Sequence, residues 1–251
     1  MHLKRVTLHP SRYPAQDCYP FTVPVFQHTR NIIFSDPVTL FIGENGSGKS
    51  TLLEAVSRAC GIHIWREPER ARVNQNPYED TFHKYLSVEW SDGKVPGSFF
   101  GSGIFRHFTQ LLDEWAAADP GQLAYYGGKS LITQSHGESF LAFFRNRYRI
   151  KGLYLLDEPE TALSPRSQLA LLDILTETSE AGYAQFVIAT HSPILMACPD
   201  AVLYSFDHSP AQSIRYEDTE HYRIYREFMK DRSKYLKNGE PQFKIKNRKN
   251  I

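Results

Sequence analysis

Cysteine is scarce, with Cys18, Cys60 and Cys198 the only three in 251 residues. Their odd number and wide spacing exclude a disulfide framework and the paired ligands of a zinc site, and predict reduced thiols in a cytoplasmic protein. Long apolar runs are missing as well. No stretch approaches the roughly 20 residues that cross a bilayer, and Met1-His2-Leu3-Lys4-Arg5 lacks the apolar stretch of a signal peptide. The expectation is therefore a cytoplasmic chain with no integral membrane segment. Net charge is nearly absent: 29 Lys and Arg against 28 Asp and Glu leave a formal +1. No global field then draws the molecule to DNA or an anionic membrane, so such a contact requires a local patch. Neither a G-x-S-x-G elbow nor paired metal-ligand spacing occurs, which removes serine hydrolase and zinc chemistry.

What is present suits one globular domain. The 41% hydrophobic and 23% charged composition supports a substantial core without low complexity or wholesale disorder. Leu3 to His9 reads as an opening strand, and Pro10, Pro14, Pro20 and Pro24 make the next segment a surface excursion. Val38 to Ile42 is a β-branched and apolar run, followed by a glycine-rich turn and then by helical spacing over Ser50 to Cys60, ending at Gly61. Tyr85 to Trp90 reads as a strand turned by Ser91-Asp92-Gly93. Apolar residues at helical intervals from Ile104 to Ala118 and from Glu138 to Tyr148 suggest a helical lobe. Leu153 to Leu156, Phe186 to Ala189 and Ala201 to Tyr204 are further short strands, with a helix from Pro165 to about Thr178. That helix has a clear start in the N-cap Ser164 and Pro165. Short buried strands alternating with helices predict an α/β fold with a mostly parallel sheet covered on both faces.

Two motifs carry chemistry. Gly43-Glu44-Asn45-Gly46-Ser47-Gly48-Lys49-Ser50 matches G-x-x-x-x-G-K-[ST] at every fixed position, between a predicted strand and a predicted helix. Its glycines let backbone N–H groups close around phosphate oxygens, and the following helix, with Thr51 in its first turn, points its positive end at the same anion. Lys49 is placed to reach the β and γ phosphates and Ser50 to hold magnesium. In the second motif, Leu153-Tyr154-Leu155-Leu156-Asp157-Glu158-Pro159, an apolar strand carries two carboxylates to its end. Asp157 is the candidate magnesium support, and Glu158 the candidate for orienting or deprotonating an attacking water.

With these in order, the sequence resembles the ABC-type P-loop ATPase superfamily. Thr161-Ala162-Leu163-Ser164 resembles its D-loop, His191 its switch histidine, and Ser135-His136-Gly137-Glu138 its signature motif. More closely, the chain is similar to small stand-alone predicted ATPases of bacteria, relatives of the SMC and recombination-repair heads. That similarity rests on Tyr126-Gly127-Gly128, Gln134 to Phe140, Leu153 to Glu160, Ala189 to Leu195 and Tyr216-Glu217-Asp218-Thr219-Glu220-His221-Tyr222. The resemblance implies ATP and Mg2+ as ligands, Glu158 and His191 as catalytic residues, and residues 43 to 51 as the cradle. It also implies that Ser135, Gly137 and Glu138 face the γ-phosphate bound by a second copy, in a head-to-tail ATP-dependent homodimer. It implies one ATPase domain, 1–251, with a small helical lobe and an N-terminal antiparallel β portion. The core takes 1–98 and 150–222, the helical and signature lobe 99–149, and a basic C-terminal helix and tail 223–251. The superfamily's Q-loop glutamine is not evident, Gln75 and Gln110 being the nearest candidates. Arg5, Tyr13 and Tyr19 lie where such heads place a base-stacking side chain, although loop aromatics more often pack.

Residues 223 to 249 hold ten Lys or Arg against Glu227, Asp231 and Glu240. That stretch fits a contact with nucleic acid and equally a solvated helix with a frayed tail. Between the phosphate-loop helix and the signature lie only about 70 residues, too few for the long coiled-coil arm of SMC-type proteins. Expected outputs are a switch in DNA maintenance or defence, alone or with a partner effector, or the nucleotide-binding subunit of a membrane transporter.

Overall fold

The computed structural model describes residues 1–64, 76, 78, 80–101, 136–237, 240 and 241. The expected helix over 104 to 118, the residues Gln75 and Gln110, and the tail beyond 241 lie outside them. Two sheets frame the molecule. β1 (Leu3–Leu8), β2 (Asn31–Ile33) and β4 (Leu86–Trp90) form an antiparallel sheet in the order β2-β1-β4. One face of it is solvated: Arg5 pairs with Glu89 at 3.2 Å while Leu3, Val6 and Leu8 are buried.

The larger sheet contains β3 (Val38–Ile42), β5 (Gly97–Phe100), β6 (Gly152–Asp157), β7 (Ala184–Ala189), β8 (Val202–Ser205) and β9 (Gln212–Ile214), in the order β5-β6-β7-β3-β8-β9. Every pairing in it is parallel except β8 with β9. All residues of β3 and β7 are buried, as strands covered on both faces must be.

The two-residue period of a strand divides the core. Leu40, Leu156, Phe186 and Ile188 face α3 (His136–Arg147) and α4 (Pro165–Glu180), where Phe140, Phe144, Leu171 and Leu175 meet them. Phe41, Leu155, Val187 and Ala189 face the other way, against Leu52, Leu53 and Val56 of α2 (Lys49–Ala59). The antiparallel sheet closes the far side of α2 through Leu3, Val6 and Ile32. The helix that begins at the phosphate-loop motif is thus held between two sheets.

Local signals explain most boundaries. Ser164 accepts a hydrogen bond from Ser167 N at 3.2 Å, with Pro165 at the first position of α4. Phe140, Phe144 and Tyr148 recur every fourth residue along the end of α3, and the rings of Phe144 and Tyr148 stack at 4.9 Å. Tyr13 is a packing residue, 4.7 Å from the ring of Phe21, and it donates to Phe26 O. β2, β5 and β9 were not legible in the sequence, being three or four residues long and supported by neighbours rather than by their own composition. β5 in particular needs Gly97, where a Cβ would sit 2.2 Å from Leu153 O. α1 (Pro24–His28) and α5 (Pro193–Met196) are single short turns, and α6 (Glu220–Lys230) starts ahead of the basic stretch because Thr219 caps it. No helix among the described residues is long and apolar enough to cross a membrane.

Gln185 joins the sheets. Fully buried in β7, it accepts from His2 N and Leu3 N, both at 2.7 Å, and donates to Leu3 O at 2.9 Å. Gln185→Leu removes the partner of three backbone groups at once, so the expected loss of stability in urea unfolding is about 2–4 kcal/mol. A loss no larger than that of an exposed-residue variant would contradict this role.

Candidate nucleotide site

The chemistry gathers where the parallel strands end. Asp157 of β6 is level with Ala189 of β7, which is level with Phe41 of β3, which is level with Tyr204 of β8. Gly43, Glu158, His191 and Asp207 each follow that line by one to three residues. In open α/β sheets this carboxyl edge is where ligands bind.

The phosphate loop runs from Gly43 to Gly48 before α2 begins at Lys49. Gly48 has φ +102° and a Cβ there would lie 2.6 Å from the ring of Phe26, so only glycine fits. Glu44 N donates to Asp207 Oδ1 at 2.8 Å, which anchors the first limb of the loop to the end of β8. Lys49 is 4% exposed, and its ammonium donates to the carbonyls of Gly43 at 2.7 Å and Glu44 at 3.0 Å. Burial lowers its pKa, against the pull of Glu158, Asp207, Asp157 and Glu44. The Ser47 hydroxyl is buried and has no hydrogen-bond partner, a polar atom that an anion in the loop would satisfy. Thr51 meets the hydroxyl of the exposed Tyr19 at the edge of the site.

Ser50, in the first turn of α2, donates its hydroxyl to Asp157 Oδ1 at 2.7 Å. Burial pushes the Asp157 carboxyl up to about 7, opposed by that hydrogen bond and reinforced by Glu158. A dication held here would offset the cost of burying the Asp157 charge. A hydroxyl and one carboxylate are hard oxygen donors of the kind Mg2+ takes alongside phosphate and water. No cluster of three His, Cys, Asp or Glu suited to a metal occurs among the described residues.

Glu158 adopts the left-handed conformation, φ +48° and ψ +53°, unusual for any residue but glycine. The turn is pinned on both sides: Glu158 N donates to Ala189 O at 2.8 Å, and Thr161 donates to Glu158 O through N at 3.1 Å and Oγ1 at 2.8 Å. A backbone this costly persists only where its surroundings hold it, and such outliers cluster at functional sites. His191 N donates to Glu160 Oε1 at 2.6 Å. His191 Nε2 lies 3.6 Å from Glu158 Oε1, buried and without a hydrogen-bond partner. Burial, then the charge of Lys49, lowers the His191 pKa and favours the neutral ring.

Lys49, Ser50, Asp157, Glu158 and His191 therefore converge, and Gly43 to Gly48 wrap the same point. Gly137 and Glu138 fall in the first turn of α3, the Glu138 side chain lying outside the described residues, as does Ser135 altogether. Sequence reasoning missed Asp207, Glu160 and Phe26. Asp207 follows a readable strand, yet its partner Glu44 is 163 residues away. Glu160 sits among the acids of the second motif, and only the fold puts His191 beside it.

Comparison with known proteins follows the same division. Residues 23–86 match the family described as "AAA domain", and residues 140–197 match "AAA domain, putative AbiEii toxin, Type IV TA system". The Cytochrome c biogenesis ATP-binding export protein CcmA of Paramagnetospirillum magneticum is 30% identical over 174 residues, covering 62% of this chain and 76% of that protein. The Thiamine import ATP-binding protein ThiQ of a Ruegeria species is 25% identical over 190 residues, covering 66% and 74%. In fold, the chain is similar to the SmcHead bound to the C-winged helix domain of ScpA. The TM-score is 0.52 at 14% identity, covering 86% of this chain and 99% of that one.

The raised Asp157 pKa has a consequence for stability. Unfolded, the carboxyl titrates near 4; folded, near 7. Between those values the folded state binds the extra proton, so the metal-free protein loses stability as pH rises from about 4 to about 7. Asp157→Asn keeps an acceptor for Ser50 and removes the charge. Its expected gain over wild type in urea unfolding without metal is on the order of 3–4 kcal/mol at pH 8, vanishing near pH 4. Equal stability at pH 8 would contradict the assignment.

Proposed function

From the premise that this chain belongs to the ABC-type P-loop ATPases, we propose that it binds Mg-ATP, hydrolyses it to ADP and phosphate, and closes as a head-to-tail dimer around the nucleotide. The observation that carries this reading is the meeting of Ser50 with Asp157 at 2.7 Å beside Glu158 and His191 at 3.6 Å. Backbone N–H groups of the loop and the positive end of α2 take the phosphates. Two of the three Lys49 donors are held by loop carbonyls, leaving one for a β or γ oxygen. Ser50 and Asp157 would hold Mg2+, which would supply charge neutralisation at the phosphates.

Glu158 orients a water and takes its proton as the water oxygen bonds the γ phosphorus and the bond to the bridging oxygen of ADP breaks. The free His191 Nε2–H donates to a γ oxygen and stabilises its growing charge. Ser135, Gly137 and Glu138 complete the site of the facing copy, their helix start offering N–H groups to that phosphate. Residues 1–251 act as one ATPase domain, with 1–98 and 150–222 as the nucleotide-binding core, 99–149 as the signature lobe and 223–251 as a basic appendage.

The output is a cytoplasmic switch in DNA maintenance or defence, working alone or with an effector protein. This rests on the resemblance of the Tyr126, Gln134 and Tyr216 stretches to the stand-alone ATPases. A second reading, the nucleotide-binding subunit of a transporter, is favoured by the names of the export and import proteins it matches. ATPase stimulation by DNA supports the first, and co-purification with a membrane protein the second.

Glu158→Gln removes the base and keeps the shape. Nucleotide affinity is expected to stay within about threefold while turnover falls by about 10²-fold or more, and the variant accumulates as an ATP-dependent dimer by size exclusion with light scattering. Turnover equal to wild type would remove Glu158 from the mechanism.

A further inference from the structure

The run from Tyr216 to Tyr222, acidic and aromatic in sequence, is a mount for one side chain. Tyr216–Asp218 make a single 3-10 turn, and Thr219 then caps α6, accepting from Tyr222 N at 3.1 Å and donating to Tyr216 O at 2.7 Å. Asp218 is clamped by Arg215 at 2.8 Å and Arg223 at 3.6 Å. The rings of Tyr216 and Tyr222 pack at 4.8 Å, and Tyr216 rests on the main core. These contacts fix where α6 starts to within a residue, and so fix His221 as its second residue. His221 Nε2 lies 3.4 Å from His191 Nδ1, the ring centroids 5.6 Å apart.

A neutral imidazole carries one N–H, and which nitrogen bears it is set by what the other nitrogen meets. His191 Nε2 faces Glu158 Oε1 and the point where a γ-phosphate enters, both acceptors, so the proton is needed there. Nδ1 must then be bare and must find a donor in a half-buried site. Among the described residues, the side-chain partner at Nδ1 is His221.

We propose that His221 is a positioning residue for ATP hydrolysis: its Nε2–H donates to His191 Nδ1 and holds His191 in the tautomer whose Nε2–H points at the γ-phosphate and Glu158. The inference rests on the role of His191 given above. Burial lowers the pKa of both histidines, which keeps an N–H···N pair neutral, with Glu44, Asp207, Lys49 and Glu220 as the charges around His221. The tyrosines, Thr219 and Asp218 hold the start of α6 and with it this ring.

Two substitutions separate donation from packing: His221→Phe keeps a ring and loses the donor, while His221→Gln keeps an N–H. Protein labelled with ¹⁵N-histidine is measured without nucleotide at pH 8, the His191 signals being assigned by their loss in His191→Ala. Wild type and His221→Gln are expected to show a bare Nδ1 and a protonated Nε2, and His221→Phe a mixture of tautomers. In steady-state kinetics, His221→Phe is expected to lower kcat about tenfold or more with KM for Mg-ATP within about twofold, and His221→Gln to recover most of it. Adding His221→Phe to His191→Ala should cost nothing further. An unchanged His191 tautomer in His221→Phe, or an independent loss in the double variant, would overturn the proposal. If wild type shows no ATP turnover, the proposed function fails, while the tautomer measurement still decides whether His221 sets His191.

Discussion

One hydrogen bond, from Ser50 Oγ to Asp157 Oδ1, closes a gap of 107 residues and brings the two halves of the chemistry together. It exists only because β6, β7 and β3 lie side by side in register, so that the end of the carboxylate strand is level with the strand that feeds the phosphate loop. It also requires α2 to leave that loop at one angle. The clamp that fixes the angle is the pair of sheets around Leu52, Leu53 and Val56, tied at Gln185. Core packing and site geometry are therefore the same constraint seen at two distances.

The site holds several groups in states they would not choose alone. Asp157 is buried far enough to favour its proton, Glu158 is bent into a left-handed turn beside a proline, and Lys49 donates to its own loop. The burial of Asp157 and the left-handed turn at Glu158 each cost stability; under the proposed function a metal triphosphate offsets the first and uses the second. His191 belongs with them, since its Nε2 is buried without a hydrogen-bond partner. Among the described residues, Ser47 Oγ and Glu160 Oε2 at the same edge are also buried without a hydrogen-bond partner, as are the Thr39, Ser98 and Tyr148 hydroxyls away from it.

Around this centre the supporting residues come from unexpected places. Phe26, from a proline-rich excursion, fills the space that makes Gly48 obligatory; Asp207 anchors Glu44; Glu160 positions the backbone of His191. The capped start of α6, within the Tyr216 to Tyr222 cluster, sets His221 3.4 Å from His191, a contact that composition alone did not suggest.

The sequence by itself determined the features that short-range chemistry controls. The glycine spacing of residues 43 to 48, the Ser164-Pro165 helix start, and the apolar runs of β3, β6 and β7 are local rules written in consecutive residues, as is the placing of Asp157 and Glu158 at a strand end. Only the tertiary structure decided the rest. Strands as short as β2, β5 and β9 depend on neighbours to exist, and partners such as Asp207 with Glu44 or Gln185 with Leu3 are more than 160 residues apart in the chain. A hydrogen bond or a close packing contact acts over a few ångströms of space, and linear order carries no record of which distant residues the fold brings within that reach.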